Sequence, residues 1–248
     1  MNNISVLHNE NSIHYGSSAS SFSSGYLSEI VYGGIDGAIT TFAVVAGASG
    51  ANLSIKTILI LGFANLIADG VSMSVGNYFS TKATRDNFYK HLARENWEID
   101  HLREREIEEI REIYIAKGFQ GKLLEEVVEV ITSDRKIWLD TMMKDELGLI
   151  LEERQPIHTA LATFFSFFAI GLIPLLAFVF SSYLRFDTQN LFFISCLSTG
   201  LALGIIGYFR SKVTQKNPWI SVIETLGLGG LAAAIAFYIG VVLERWVL

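Results

Sequence analysis

The chain has 248 residues, a formal net charge of −6 and a hydrophobic fraction of 50%. Soluble domains of this length are rarely so apolar, and a nucleic-acid-binding face needs an excess of positive charge, so the composition disfavours both classes. The single cysteine, Cys196, excludes an intrachain disulfide framework.

Residues 1–24 are polar, are rich in Ser and Asn, and carry no Lys or Arg ahead of an apolar core. This composition differs from that of a secretory signal and predicts a disordered polar tail.

Five long apolar segments follow, each long enough to cross a bilayer as a helix. They cover residues 29–51, 57–79, 158–183, 191–209 and 219–242. Pro174 lies inside the third span and should kink it. Small residues predict tight helix packing in the first, fourth and fifth spans, at Gly33, Gly34, Gly37, Gly200, Gly204, Gly207, Gly227, Gly229 and Gly230.

Polar residues inside the spans are candidates for an ion path, because such residues are costly in lipid. Asp36 lies well inside the first span, and its alternative is a hydrated position near an interface. In the second span Asn65, Asp69 and Met73 recur every four residues and share one helix face. Met73 alone would be read as core filling. Glu224 in the fifth span is either interfacial or part of a polar pathway.

Residues 80–156 differ in character, with 18 of the 25 Asp and Glu residues and 13 of the 19 Lys and Arg. Their apolar periodicity predicts three helices, at 81–116, 121–131 and 134–152. Ser133 or Asp134 is the expected N-cap of the third. On the second, Leu123, Leu124, Val127, Val128 and Ile131 should form the buried face.

The positive residues predict an orientation. The connection from Arg210 to Lys216 carries three basic residues, and residues 80–156 carry many more. Both should therefore be cytoplasmic, together with the N-terminus. The sequence thus predicts an all-α polytopic membrane protein, with transmembrane helices 1–2 in residues 25–79, a cytoplasmic three-helix domain in residues 80–156, and transmembrane helices 3–5 in residues 157–248.

Four glutamates form one narrow stripe on the first cytoplasmic helix, namely Glu95, Glu98, Glu106 and Glu109. A straight helix would separate the two pairs by about 16 Å, so a shared metal site requires a bend near residues 100–103. Met142 and Glu146 on the third helix also face one way. The alternative is a solvated acidic face. Carboxylates joined by a thioether would suit Fe²⁺ or Mn²⁺ better than Mg²⁺ or Ca²⁺.

Over nearly all of residues 25–248, the chain resembles the vacuolar iron transporter family, with its fungal iron and manganese relatives and bacterial homologues. The matching segments are YGGIDG at 32–37, TTFAVVAG at 40–47, ANLIADGVSMSVGNY at 64–78 and DELGL at 145–149. Many relatives have a proline between the two glutamate pairs, where this chain reads His101-Leu102-Arg103.

The resemblance implies a five-span homodimer with an ion path between subunits, which exports Fe²⁺ from the cytosol in exchange for protons. It further implies transport-path ligands at Asp36 and Met73. Asn65 and Asp69, which share a helix face with Met73, are candidate supports of that path. The implied cytoplasmic metal ligands are Glu95, Glu98, Glu106, Glu109, Met142 and Glu146. Mn²⁺ is a second candidate cargo, and no prosthetic group is expected. A vacuolar membrane and a bacterial cytoplasmic membrane both fit.

Two other classes stay open at this point. A membrane di-iron oxidase would use Glu-x-x-His motifs, and the chain has one, from Glu98 to His101; that chemistry needs a second. A metal buffer or sensor would bind ions without moving them, although the membrane carboxylates would then have no purpose.

Overall fold

A computed structural model of the chain describes residues 25–181 and 187–247, which form helices and contain no β-strand. The prediction of an all-α protein is confirmed. The predicted tail at residues 1–24 and the end of the third span at Tyr183 lie outside the described residues. The helices are α1 Leu27–Gly50, α2 Ile55–His101, α3 Arg103–Ala116, α4 Gly121–Ser133, α5 Arg135–Thr141, the π-helix Met142–Glu146, α6 Pro156–Gly171, α7 Ile173–Val179, α8 Thr188–Thr214 and α9 Pro218–Val247.

The chain divides into two compact units. The charged unit is Phe79–Gln155, and the membrane unit is the rest of the described chain on either side of it. Helix α2 contributes its first part to the membrane unit and its last part to the charged unit.

Four helices are long and apolar enough to cross a membrane: α1, α2, α8 and α9. The pair α6 and α7 passes the same test together and is bent by 43°, which gives five spans if the pair counts as one. The bend is at Leu172, and Pro174 lies in the first turn of α7. The predicted kink is confirmed, since proline cannot donate the backbone hydrogen bond that would continue α6.

Backbone-close packing joins α1 to α6. A Cβ added at Gly37 would meet the carbonyl oxygen of Phe167, and one added at Gly33 would meet that of Thr163. Phe167 is fully buried and belongs to the main apolar cluster of the membrane unit, with Leu66 and Leu175. Glycine at these crossings therefore allows the helices to approach until their backbones touch.

The expected packing glycines of α8 and α9 behave in two ways. A Cβ at Gly207 would lie 2.9 Å from the Cα of Val222, so α8 and α9 cross there as predicted. At Gly200, Gly204, Gly227 and Gly230 an added Cβ would have nothing described within 4 Å. At these four positions the described chain itself supplies no close helix contact.

The charged unit has its own apolar core, in which Ile99, Ile110, Val128 and Trp138 are buried. Helix α4 buries Leu124, Val128 and Ile131 as predicted, but Leu123 is 56% exposed. The predicted buried face of α4 is therefore wrong at Leu123.

The third predicted helix is shorter and less regular than expected. Asp134 is its N-cap, as predicted, and accepts hydrogen bonds from the N–H groups of Lys136 (2.8 Å) and Ile137 (3.2 Å). The helix ends at Glu146 in place of Glu152 because Gly148 adopts a left-handed conformation, with φ +63°.

Candidate metal centre

The helix that carries the four glutamates is broken at Leu102. This residue has φ −127° and ψ 33°, so α2 ends at His101 and α3 starts at Arg103 in a new direction. The break lies where a shared metal site requires a bend. One carboxylate oxygen from each of Glu95, Glu98 and Glu106 lies within 4.8 Å of the other two.

Two long-range contacts hold the chain on either side of the break, where no proline is present. Arg135 binds the carboxylate of Asp100 through both terminal nitrogens, at 2.5 and 2.7 Å, and donates to the side chain of Asn96 at 2.9 Å. After the break, the guanidinium of Arg103 lies 4.9 Å from the ring centre of Trp138. Neither contact could be predicted from the sequence, since nothing local marks residues so far apart as partners.

Glu95 and Glu106 are buried, with 4% and 2% of their surfaces exposed. Burial raises the pKa of Glu95 to about 7, and repulsion from Glu146 and Glu98 adds to this. Burial also raises the pKa of Glu106 to about 7, followed by repulsion from Glu109 and Glu95. The buried carboxylates therefore take up protons near neutral pH, or bind another cation in place of the proton.

Among the described residues, the arginines form ion pairs with two members of the cluster, Glu98 and Glu109. Arg94 pairs with Glu98 at 3.0 Å, and Arg105 pairs with Glu109 at 3.0 Å. One oxygen of Glu106, Oε2, is buried and has no hydrogen-bond partner among the described residues. A buried and unpaired carboxylate oxygen is costly unless a cation compensates it. Both arginine pairs have the i,i+4 spacing that can be read from the sequence. This spacing indicates that Glu98 and Glu109 are less available to a metal ion, because each already has a cationic partner.

The π-helix carries the two remaining candidates. Glu146 interacts electrostatically with Glu95, Glu98 and Glu109, and its own pKa is raised by burial first and then by Glu109. Met142 is fully buried in the apolar core of the charged unit, which also contains Ile99. The structure thus brings the five glutamates into one electrostatic cluster and gives Met142 apolar neighbours.

The candidate path residues of the membrane unit lie on α1 and α2. Asp36 is half-buried, its carbonyl accepts from Thr40 at 2.8 Å, and its carboxylate interacts electrostatically with that of Asp69. The side-chain nitrogen of Asn65 is buried without a hydrogen-bond partner among the described residues. Met73 packs against the main apolar cluster, as a core residue would.

Glu224, for which the sequence left two roles open, pairs with Arg210 at 3.0 Å. The ion pair joins α9 to α8, and both side chains are partly exposed. Glu224 therefore has a structural partner that needs no ion path.

Comparison with known proteins gives a family match over most of the chain. The sequence model of the VIT family matches residues 27–241. A protein named vacuolar iron transporter from Toxoplasma gondii is 35% identical over 228 residues, which cover 90% of this chain and 76% of that protein. A vacuolar iron transporter from Centaurea cyanus is 36% identical over 210 residues, or 84% of each chain. Vacuolar iron transporter 1 from Tulipa gesneriana is 34% identical over 210 residues, or 84% of this chain and 83% of its own.

Proposed function

The chain belongs to the VIT family, and we propose that it is a secondary transporter that moves Fe²⁺ out of the cytosol, with Mn²⁺ as a second cargo. Its relatives are named as transporters and not as enzymes, and its apolar helices make it a multi-pass integral membrane protein. Transport of a metal ion is the function that these names support.

The observation that carries the proposal is the carboxylate cluster of Glu95, Glu98 and Glu106. Three carboxylate oxygens lie within 4.8 Å of one another, and two of them belong to buried residues. Ionised carboxylates this close repel one another, and a bound divalent cation would offset that repulsion. Glu109 and Glu146 extend the cluster, and the thioether of Met142 is its soft candidate ligand. In this proposal the charged unit is a cytoplasmic domain that collects the ion.

In the membrane unit, Asp36 and Met73 are the proposed ligands that pass the ion across, with Asn65 and Asp69 in support. A carboxylate inside a membrane span can also take up the counter-moving proton, which is the basis for proposing proton antiport. Following the resemblance, the transporter acts as a homodimer with the path between subunits. The basic connection between α8 and α9 supports a cytoplasmic position for it and for the charged unit, in a vacuolar or bacterial cytoplasmic membrane.

A di-iron oxidase would need a second Glu-x-x-His motif, and the sequence has one. His101, which completes the Glu-x-x-His motif, stacks on Trp97 with ring centres 4.4 Å apart, and its Nδ1 lies 2.8 Å from the carbonyl oxygen of Trp97. A local stacking partner and the names of the relatives both favour a transporter over a di-iron oxidase.

The test is metal flux into proteoliposomes that contain the purified full-length protein. Fe²⁺ uptake should depend on an imposed pH gradient, should be reduced by competing Mn²⁺, and should be accompanied by proton movement in the opposite direction. Tight Fe²⁺ binding without flux would replace the proposal by a buffer or sensor. Oxygen consumption that depends on Fe²⁺ would replace it by an oxidase.

A further inference from the structure

The break between α2 and α3 lacks the usual local causes of a helix bend. Sharp bends usually occur at proline, at glycine or serine pairs, or at a π-bulge. Residues 100–103 contain no proline, glycine or serine. Leu102 is the N-cap of α3, yet it makes no side-chain capping hydrogen bond. The cause of the bend therefore lies in contacts with other parts of the charged unit.

Arg135, the first residue of α5, makes four hydrogen bonds to the end of α2. Besides the carboxylate of Asp100 and the side chain of Asn96, it donates to the backbone carbonyl of Asn96 at 3.0 Å. The hydrogen bonds from Arg135 hold the pKa of the Asp100 carboxyl below its usual range, so the pair stays ionised at neutral pH. A planar guanidinium that uses all three nitrogens in this way fixes both the position and the direction of the helix end.

These contacts lie next to the glutamates of the cluster. Asn96 directly follows Glu95, and Asp100 lies two residues after Glu98. Exposed ion pairs usually contribute little, but a two-pronged arginine–carboxylate pair has a defined geometry. Arg135 therefore holds the part of α2 that carries two candidate ligands, immediately before the chain turns into α3.

Apolar packing is the other candidate cause of the bend. Ile99 and Ile110 lie on either side of the break and are buried in the same core as Trp138. Because they are 11 residues apart, about three turns, both would face the same side of one continuous helix. Packing of these two side chains attaches α2 and α3 to the core, but does not by itself require a change of direction between them.

We propose that Arg135 is a positioning residue for the metal centre, which brings Glu106 of α3 to Glu95 and Glu98 by fixing the end of α2. In one straight helix Glu98 and Glu106 would be about 12 Å apart along the axis. In the bent chain a carboxylate oxygen of each lies within 4.8 Å of the other. A guanidinium cannot itself bind the cation, so Arg135 acts through the helix that it holds. The inference rests on the metal binding of the proposed function, and not on transport.

The sign of the effect separates positioning from charge. Arg135 is a cation bound to the helix that carries Glu95 and Glu98, so by charge alone its removal would tighten the binding of Fe²⁺. If Arg135 positions the glutamates, its removal should weaken that binding. Arg135→Gln should therefore weaken Fe²⁺ binding by about tenfold or more in anaerobic calorimetry of the full-length protein in detergent. Unchanged or tighter binding would overturn the proposal.

Asn96→Ala is an independent variant, because it removes one of the four hydrogen bonds without changing any charge. It should weaken Fe²⁺ binding in the same direction, by a smaller factor of about two or more. An affinity equal to that of the wild type in a folded Asn96→Ala protein would count against positioning by Arg135.

A coupling measurement separates positioning from a general loss of stability. In the wild type, Glu106→Gln should weaken Fe²⁺ binding by about tenfold, because one anionic ligand is lost. In the Arg135→Gln background the same change should cost less than about twofold, because Glu106 then no longer reaches the ion. An equal effect of Glu106→Gln in the two backgrounds would show that Arg135 does not position it.

Arg111→Gln is the matched control. Arg111 binds both carboxylate oxygens of Glu125 at 3.1 Å and thereby joins α3 to α4, as Arg135 joins α5 to α2. Arg111→Gln should not weaken Fe²⁺ binding and should leave the effect of Glu106→Gln unchanged. A loss of affinity equal to that of Arg135→Gln would overturn the proposal, since any loosening of the unit would then suffice. Because the readout is Fe²⁺ binding, a protein that binds the ion without moving it would contradict the transporter and leave this inference standing.

Discussion

The two units differ in the polar groups that they bury. In the membrane unit many are hydroxyls: those of Thr163 and Thr225 donate to the carbonyls of Thr159 at 2.9 Å and of Ser221 at 2.8 Å, whereas those of Thr41, Thr199 and Ser221 have no hydrogen-bond partner among the described residues. In the charged unit the buried groups include Glu95 and Glu106, which repel each other. Satisfied neutral groups stabilise a fold by themselves, whereas clustered carboxylates need a cation.

We expect the membrane unit to move the ion and the charged unit to collect it. The largest expected effect on this division comes from a change in the membrane unit. Asp36→Asn should abolish Fe²⁺ flux in proteoliposomes, because the neutral amide can neither attract the ion nor carry a proton. The same variant should still bind Fe²⁺ in calorimetry of the full-length protein, since the charged unit is unchanged.

Asp36→Glu is the matched control for that experiment, since it keeps the carboxylate and should retain part of the flux. Undiminished transport by Asp36→Asn would remove Asp36 from the path.

The second test removes the buried charge of the other unit. Glu95→Gln combined with Glu106→Gln should weaken Fe²⁺ binding by about 100-fold, because two anionic ligands are lost while the side-chain shape is kept. Calorimetry on the full-length protein measures the effect. The matched control is Glu104→Gln with Glu112→Gln, which removes two exposed acids of α3, the helix that carries Glu106. Equal binding by the two double variants would show that the cluster does not hold the metal.

The features that could be predicted from the sequence are those that depend on neighbouring residues in the chain. Long apolar runs predicted the spans, Pro174 predicted a kink, and Asp134 predicted a helix start, since each acts on its own neighbours in the chain. A bend near Leu102 was expected as a condition for a shared site, but the contacts of Arg135 and Arg103 that flank it are long-range. Gly148 was a visible signal for a helix end that the periodicity of the following residues concealed.

The glycines of α8 and α9 show what a sequence pattern leaves open. Gly207 and Gly204 look alike in the sequence, yet only Gly207 lies against a neighbouring backbone. Whether a small residue permits a helix crossing or widens a groove depends on which way its helix is turned, and that is decided by packing against the rest of the unit.

The third test concerns stability without metal. Glu106 has a folded-state pKa of about 7 against an ordinary value of 4.5, so between these pH values the folded protein holds more protons than the unfolded chain. The contribution of this carboxyl group to stability should therefore be greatest below pH 4.5 and should fall as the pH rises through 7. Glu106→Gln should be more stable than the wild type by about 2 kcal/mol at pH 8 in chelator, because it carries no charge to bury.

Thermal unfolding of the full-length protein in detergent would measure this difference, which should shrink as the pH is lowered from 7 towards 4.5. Added Fe²⁺ should reverse the order by stabilising the wild type more. Thr163→Val, in the membrane unit, should show no such dependence on pH or metal. A pH-independent gain in Glu106→Gln would mean that its charge is not the cause.

The smallest expected effect comes from the arginine at the rim of the cluster. Arg94 pairs with Glu98, but 66% of the arginine side chain is exposed, so the ion pair is screened by water and salt. Arg94→Gln should tighten Fe²⁺ binding by less than about threefold, because it frees one ligand and removes one positive charge. The direction of the change matters more than its size. A weaker affinity in calorimetry would mean that Arg94 orients Glu98 for the metal, so that this ion pair supports metal binding by the charged unit.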